Sequence, residues 1–256
     1  MTSLYDKIIF GPVHSRRLGL SLGVNLLPTD HKLCSFNCIY CECGWTLGGA
    51  SPRFNRKEDV LRLLEQKLGS MVEEGTPPDV VTFAGNGEPT LHPDFEEIID
   101  SVTALRDRLC PTARISVLSN ATQLGRESVR RALKRVDNPI LKLDSAFDDT
   151  VRLIDNPMGN YSVAEVVRNM QLMEGNCIIQ TMFLRGSYRG QTVDNTTERE
   201  VEAWIGLVRE IAPRKVMVYT IDRDTPDPDL EKVSVDELRR IAARVEALGI
   251  ECSVAG

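Results

Sequence analysis

The stretch DVVTFAGNGEPTLHPDF, residues 79–95, contains the structural unit from which the fold of this chain is predicted. Its first part, residues 79–85, is rich in β-branched side chains and is typical of a short buried strand. A glycine-rich turn follows, and His92 stands beside a proline where a helix is expected to begin. A strand that leads through a turn into a helix is the repeating unit of a parallel sheet with crossover helices.

Five further segments have the same strand character, and amphipathic stretches separate them. These segments are residues 22–27, 113–120, 139–144, 177–184 and 215–221. Between them, apolar residues recur every three or four positions, which is the period of a helix that covers a sheet. The sequence therefore predicts the α/β class and a partial (β/α)6 barrel similar to a TIM barrel, with a candidate last strand in IECSV, residues 250–254.

The chain shows no feature that would divide it into separate domains. Its sequence contains no fixed-period repeat, low-complexity tract or Pro/Gly-rich linker. We therefore predict a single domain over residues 1–256, with a short N-terminal extension over 1–20 and the partial barrel over 21–256. Capping boxes predict helix starts at Ser162, Thr197 and Ser234.

The overall charge is acidic, with a formal net charge of −6 at pH 7 and aromatic residues at only 5%. This balance gives no general attraction to polyanions and disfavours a nucleic-acid binding module. The N-terminus lacks the pattern of a signal peptide, and no run of about 18 apolar residues is present to span a bilayer. We expect a cytoplasmic protein that does not associate with membranes.

Cysteines are concentrated in CSFNCIYCECG, residues 34–44, which holds four of the seven in the chain. In a reducing compartment, an odd number of cysteines that cluster in this way indicates metal ligation rather than a disulfide framework. Cys34, Cys38 and Cys41 have the spacing C-x3-C-x2-C. Three thiolates are one too few for a structural zinc site or a ferredoxin cluster, so a cluster held by them leaves one iron open to a ligand.

This motif, with Tyr40 before its last cysteine, resembles the signature of the radical S-adenosylmethionine (SAM) superfamily, and the resemblance extends over most of residues 20–250. It implies a [4Fe–4S] cluster held by Cys34, Cys38 and Cys41, whose open iron is chelated by the amino and carboxylate groups of SAM. One electron from the cluster would cleave SAM to a 5′-deoxyadenosyl radical, which removes hydrogen from a substrate. A one-electron donor such as flavodoxin or ferredoxin is implied as a partner.

The resemblance also implies SAM contacts at the C-terminal ends of the strands, which meet at one mouth of a barrel. AGNGEPT, residues 84–90, resembles the superfamily's Gly-Gly-Glu element with Asn86 inserted, so that the glycines admit the methionine amino group and Glu88 accepts its hydrogen bonds. Lys142 and Asp144 share one face of their strand and form a pair with each other if they do not both touch SAM. The predicted SAM-binding residues are Tyr40, Gly85, Gly87, Glu88, Asn120, Lys142, Asp144 and Ser145.

The first alternative is a structural or electron-transfer metal module in which Cys43 completes a four-thiolate site with zinc or iron. The SAM hypothesis requires Cys43 to be free, and we predict that it is not a ligand.

Residues 11–30, GPVHSRRLGLSLGVNLLPTD, resemble a subgroup of Fe–S oxidoreductases distantly similar to wyosine-base synthases. In that segment Arg16 and Arg17 either reach a phosphate or carboxylate at the barrel mouth or are ordinary surface residues.

The sequence leaves the substrate open. A small molecule, a tRNA base, or a partner protein that receives a glycyl radical from an activase would each fit the predicted chemistry. It also leaves open whether the reaction is that of an oxidoreductase or a transferase.

Overall fold

The structure is a computed structural model, and it describes residues 4–15, 18–46, 53–223 and 225–256. Its strands are β1 (Ile9–Ser15), β2 (Gly19–Val24), β3 (Val80–Phe83), β4 (Arg114–Ser119), β5 (Asn138–Lys142), β6 (Ile178–Met182), β7 (Leu184–Tyr188), β8 (Gln191–Asp194), β9 (Lys215–Tyr219), β10 (Leu230–Lys232) and β11 (Glu251–Ala255). Its α-helices are α1 (Lys57–Glu73), α2 (Phe95–Leu109), α3 (Glu127–Arg135), α4 (Asp148–Ile154), α5 (Val163–Gln171), α6 (Glu198–Ile211) and α7 (Val235–Glu246).

Within the described residues, the main sheet has eight strands in the order β1-β2-β3-β4-β5-β6-β9-β11. Neighbours from β2 to β11 run parallel, whereas β1 pairs antiparallel with β2. The six predicted strands are all present, and the candidate last strand is β11. The predicted partial barrel is therefore confirmed.

The two faces of the sheet have different surroundings, because successive side chains of a strand point to opposite faces. The outer face packs against the helices through apolar residues that include Leu22, Val81, Val117, Leu141 and Ile179. On the inner face, the hydroxyls of Ser21 and Thr82 are hydrogen bonded at 2.8 Å. Residues of β1 to β4 line one cavity together with Asp222 and Arg223, which follow β9, so the sheet curves around that cavity.

The predicted helix starts are found where the capping boxes place them. Thr197 and Ser234 accept hydrogen bonds from the third backbone N–H that follows, whereas Ser162 begins α5 without a side-chain cap.

Among the described residues, none of the helices combines the length and apolar character that a bilayer crossing requires.

One predicted strand is wrong in its extent. The run 177–184 contains a break, because β6 ends at Met182 and β7 begins at Leu184. β7 belongs to a second, antiparallel sheet with the order β10-β7-β8. Residues 177–184 are all buried, so burial is continuous across the break and the periodicity of the sequence does not reveal it.

The N-terminal extension contributes β1, which the sequence did not predict as a strand. Phe10 of β1 packs over Gly23 of β2 so closely that a Cβ at Gly23 would lie 2.2 Å from its ring. The missing side chain at Gly23 therefore allows the extension to cover this edge of the barrel.

Candidate functional site

The cysteine loop, residues 33–44, lies between β2 and α1 and is held on two sides by the backbone. On one side, Leu33 N–H donates to the Asn86 carbonyl at 2.8 Å, and Glu88 N–H donates to the Leu33 carbonyl at 3.2 Å. On the other side, Ile39 N–H donates to the carbonyl of Ile154, at the end of α4, at 2.9 Å. The loop is thus fastened both to the turn after β3 and to the end of α4.

The four thiols of this loop interact with one another. Burial raises the pKa of Cys34 to about 12 and raises that of Cys38 well above its usual value. A hydrogen bond from the Cys43 thiol lowers the pKa of Cys41 to about 5, and the pKa of Cys43 rises in return. One thiolate in this group is consequently favoured even before any metal binds.

Polar groups surround the sulfur atoms of the motif. Cys34 Sγ accepts from the backbone N–H of Phe36 at 3.4 Å and from the Asn120 side-chain amide at 3.6 Å. Cys38 Sγ donates to Asp155 Oδ1 at 3.2 Å. The two donors to Cys34 orient this sulfur and stabilise negative charge on it. At Cys38, by contrast, burial and the nearby Asp155 carboxylate both raise the pKa, so the thiol form is favoured.

Lys32 is a buried cation beside the same thiols, and its side-chain ammonium donates to the Gly44 carbonyl at 2.8 Å. Burial opposes the charge on Lys32, but the sulfur of Cys41, with smaller contributions from those of Cys34 and Cys38, outweighs this effect, and the pKa of Lys32 is raised. The cysteine loop therefore encloses a positive charge that faces its thiols.

The turn after β3, residues 85–88, contains two glycines at positions where a side chain would not fit. Gly87 has φ +139°, and a Cβ there would lie 1.8 Å from the Leu33 carbonyl oxygen. Gly85 has φ +138°, and a Cβ there would lie 2.5 Å from the side chain of Asn25. Both glycines are required by close packing within the chain.

Asn86, the residue inserted between those glycines, fastens the N-terminal segment to this turn. Its side chain accepts from Tyr5 N–H at 2.8 Å and donates to the carbonyls of Tyr5 and Pro28 at 2.9 and 2.8 Å. The insertion thus has a structural role of its own.

Glu88 joins the ends of β3 and β4. Its Oε1 atom accepts from Thr90 N–H at 3.0 Å and from the Ser119 hydroxyl at 2.9 Å, and its Oε2 atom accepts from Asn120 N–H at 2.6 Å. Burial raises the pKa of this carboxyl, while these hydrogen bonds favour its ionised form. A carboxylate oxygen can accept two hydrogen bonds, so Oε2 retains capacity for a ligand.

A buried network joins the cysteine loop to the end of β5. Lys142 donates to the Tyr40 oxygen, Tyr40 donates to Asp144, and the Lys142 ammonium lies 3.0 Å from Asp144 Oδ2. The same ammonium lies 3.7 Å from Asp155 Oδ1, which also accepts hydrogen bonds from Tyr40 at 3.3 Å and from Cys38 at 3.2 Å. Lys142 and Asp144 therefore form an ion pair with each other, which their spacing of two residues allowed.

The charged groups of this network shift one another's pKa values. Burial, together with the nearby Asp144 carboxylate, raises the pKa of Asp155 to about 7. Burial opposes the charge on Lys142, but Asp144 outweighs it and raises the pKa of the ammonium. The network thus keeps a fixed cation next to the cysteine loop.

The predicted site residues do not all have the same surroundings. Asn120 lies beside Cys34 and also donates to the Ser35 hydroxyl at 2.8 Å. Ser145 instead donates to Glu200 of α6 at 2.7 Å and has no contact with the cysteine loop among the hydrogen bonds of the described residues. Arg16 and Arg17 lie outside the described residues.

Residues 31–194, which include the cysteine loop, the turn after β3 and the Lys142 pair, match the sequence model of the Radical SAM superfamily. The chain belongs to this superfamily. This confirms the resemblance inferred from the C-x3-C-x2-C motif and makes the chain a radical SAM enzyme whose reaction class is undecided.

Relatives of the chain include proteins of several microorganisms. A UPF0026 protein of Helicobacter pylori is 31% identical over 247 residues, which cover 94% of this chain and 74% of that protein. A Brachyspira hyodysenteriae protein named GTPase Obg is 28% identical over 260 residues, which cover 99% of this chain and 35% of that protein. This chain thus spans about a third of that longer relative, and its sequence lacks the G-x-x-x-x-G-K-S/T motif of a phosphate-binding loop.

Two solved structures share the radical SAM fold of this chain. A radical SAM methyltransferase from Sphaerobacter thermophilus has a TM-score of 0.68 at 15% identity, covering 92% of this chain and 65% of that one. TYW1 with a lysine-pyruvate adduct bound has a TM-score of 0.61 at 16% identity, covering 89% of this chain and 73% of that one. At such identities the likeness concerns the fold.

The residues present fit the superfamily's [4Fe–4S] cluster and SAM. Three thiols of one loop supply the soft ligands that iron–sulfur clusters take, and the Lys32 ammonium faces them. In the described part of the chain, no group of three or more Cys, His, Asp or Glu side chains surrounds a single metal-ion position. A cubane differs from such a site because each thiolate meets a separate iron.

Lys32 and Asp155 are the site residues that sequence reasoning missed. Neither has a spacing that marks it as functional, since Lys32 is one of many lysines and Asp155 stands at an unremarkable helix end. Only the folded chain shows that both side chains are buried against the thiols.

Proposed function

We propose that this radical SAM enzyme holds a [4Fe–4S] cluster through Cys34, Cys38 and Cys41 and uses it to cleave SAM reductively. The observation that carries the proposal is that one loop holds three thiols in the C-x3-C-x2-C spacing and that the buried Lys32 ammonium is hydrogen bonded to the end of the same loop. When bound, the cluster and SAM supply a 5′-deoxyadenosyl radical, which abstracts hydrogen from the substrate.

The chain's own residues would support the cluster from two sides. Asn120 and the Phe36 amide donate to Cys34, which stabilises thiolate charge and sets the orientation of that sulfur. On the opposite side, Tyr40, Lys142 and Asp144 hold the second half of the loop to β5. Because both sides are built on strand ends, the positions of the thiols are predefined by the sheet.

We further propose that SAM binds between the turn after β3 and the Lys142 network. The free acceptor capacity of Glu88 Oε2 suits the methionine amino group, and the Lys142 ammonium suits its carboxylate. Gly85, Gly87, Asn120, Asp144 and Ser145 then act chiefly through contacts within the chain that shape this site.

The substrate is proposed to reach the cavity of 370 Å³ on the inner face of β2 to β4, a volume typical of small-molecule sites. The Arg223–Glu42 ion pair, 2.7 Å apart, lies at its edge. Exposed pairs of this kind contribute little stability, so a substrate can separate them at small cost. A small molecule, one amino-acid residue or one tRNA base each fits this volume, and a flavodoxin or ferredoxin is the proposed electron donor.

Anaerobic reconstitution tests the proposed function. Protein loaded with iron and sulfide, reduced with dithionite and given SAM is expected to release 5′-deoxyadenosine, detected by mass spectrometry. Deuterated candidate substrates would then identify the hydrogen donor through label in the product. Protein that binds zinc, contains no acid-labile sulfide and yields no 5′-deoxyadenosine would favour the four-thiolate module.

Replacing Glu88 is expected to weaken SAM binding and leave the cluster in place. Glu88→Gln keeps the shape of the side chain but replaces one acceptor oxygen by a donor, which should cost roughly 1–3 kcal/mol of SAM binding. The measurement is the SAM dissociation constant of cluster-loaded protein. Glu97→Gln, a change on the exposed face of α2, is the matched control. Equal SAM affinity in both variants would place Glu88 outside the SAM site.

A further inference from the structure

Lys32 is a buried cation that stands two residues before Cys34, the first of the proposed cluster ligands. Its relative exposure is 3%, and its ammonium donates to the Gly44 carbonyl, at the other end of the cysteine loop. Among the described residues, its ammonium has no ion pair with an aspartate or glutamate. The N–H of Gly44 in turn donates to the Cys41 carbonyl at 2.9 Å, so the ammonium is held at the end of the loop that carries Cys41. The sulfurs of Cys41, Cys34 and Cys38 are near enough to act on its charge.

A buried ammonium without a counter-charge is costly, so its presence needs a compensating anion. The proposed cluster provides one. A [4Fe–4S] core with three thiolates carries a net charge of about −1 when oxidised and about −2 when reduced. A cation at this position therefore stabilises the reduced state more than the oxidised state.

We infer that Lys32 is the counter-ion of the cluster: it favours retention of the cluster and makes its one-electron reduction easier. This inference rests on the proposed function. Reduction adds one electron to the cluster, the electron comes from the external donor, and Lys32 keeps its proton throughout. Lys32 is thus a positioning residue that acts through charge, and its hydrogen bond to Gly44 keeps that charge beside the thiols.

The contrast between Lys32 and Lys142 supports this role. Lys142 is less deeply buried, with 12% of its side chain exposed, and its charge has partners within the chain in Asp144 at 3.0 Å and Asp155 at 3.7 Å. Lys32 has no such partners among the described residues, and its charge remains available to the cluster. Lys32 and Lys142 therefore have different proposed functions beside the same loop.

The test is a redox titration of reconstituted protein, followed by EPR of the reduced cluster. Lys32→Met removes the charge and keeps the length of the side chain. It is expected to lower the ratio of reduced to oxidised cluster about tenfold at the wild-type midpoint, which corresponds to about 59 mV for one electron. Lys57→Met, in α1 and paired with Glu97, is the control and should not change the ratio.

Lys32→Arg keeps the charge, so it separates the effect of losing the charge from other effects of replacing the lysine side chain. If Lys32→Met folds but does not load iron while Lys32→Arg loads and keeps the wild-type potential, the counter-ion role is supported. The role is overturned if Lys32→Met keeps the wild-type potential, if Lys32→Arg shifts it as far as Lys32→Met, or if neither variant loads. Failure of the wild-type protein itself to form a cluster would instead contradict the proposed function.

Discussion

Alanine at Cys34, Cys38 or Cys41 is expected to reduce cluster iron to background and to abolish 5′-deoxyadenosine formation. Each thiolate would hold a separate iron, and the fourth iron must stay open for SAM, so no ligand can be spared. Iron and sulfide content, EPR after addition of SAM, and product yield measure the effect. Because these thiols are buried or half-buried on a loop that the backbone holds on two sides, the variants should remain folded.

Two cysteine variants serve as controls for this result. Cys252→Ala, in β11 at the far edge of the sheet, should behave as wild type. Cys43→Ala should also keep the cluster, since Cys43 points to the Gly85 carbonyl at 3.4 Å and its loss leaves three ligands. A folded Cys43→Ala protein without a cluster would contradict the three-cysteine assignment, and full turnover by any single variant of the first set would contradict it too.

Gly87→Ala is expected to destabilise the protein by at least about 2–3 kcal/mol and to impair cluster loading. A methyl group at this position would lie 1.8 Å from the Leu33 carbonyl oxygen, and φ +139° is unfavourable for alanine. The backbone must therefore move, and it carries with it the anchor that holds the cysteine loop to β3. Thermal denaturation and iron content measure the two effects.

Gly69→Ala is the matched control for that substitution. Gly69 lies inside α1, and apart from its chain neighbours and the backbone of its own helix nothing comes within 4 Å of a Cβ built there. Alanine at this helical position should stabilise the protein by roughly 0.5–1 kcal/mol. If Gly87→Ala melts and binds iron like wild type, the close contact with Leu33 is not a determinant of the site.

The sequence predicted those parts of the fold that local patterns encode. β-branched runs placed every strand of the parallel sheet, because a buried strand needs a continuous apolar segment of limited length. Capping residues placed the starts of α5, α6 and α7, since an N-cap depends on neighbours within four positions. The division of 177–184 into β6 and β7 escaped detection because it depends on pairing with β10, more than forty residues later in the chain.

The sequence predicted those parts of the candidate site that lie at the carboxyl ends of the parallel strands. The cysteine loop, the turn after β3 and the ends of β4 and β5 were expected to converge because the carboxyl ends of such strands share one mouth. The structure brings Asn120 to Cys34 and Tyr40 to Lys142, over separations of 86 and 102 residues. The sequence had no means to assign Ser145 to Glu200, because that contact depends on how α6 lies on the sheet.

The sequence by itself determined the family, the three cysteine positions and the order of strands and helices, because these depend on residue type and short-range spacing. Only the tertiary structure decided which charges face the thiols. Lys32 and Asp155 are distant in the chain, yet the fold buries Lys32 against Gly44 of the cysteine loop and Asp155 against Cys38 of the same loop. Electrostatic interactions act through space and strengthen where water is excluded, so they follow the packing of the folded chain rather than the spacing of its residues.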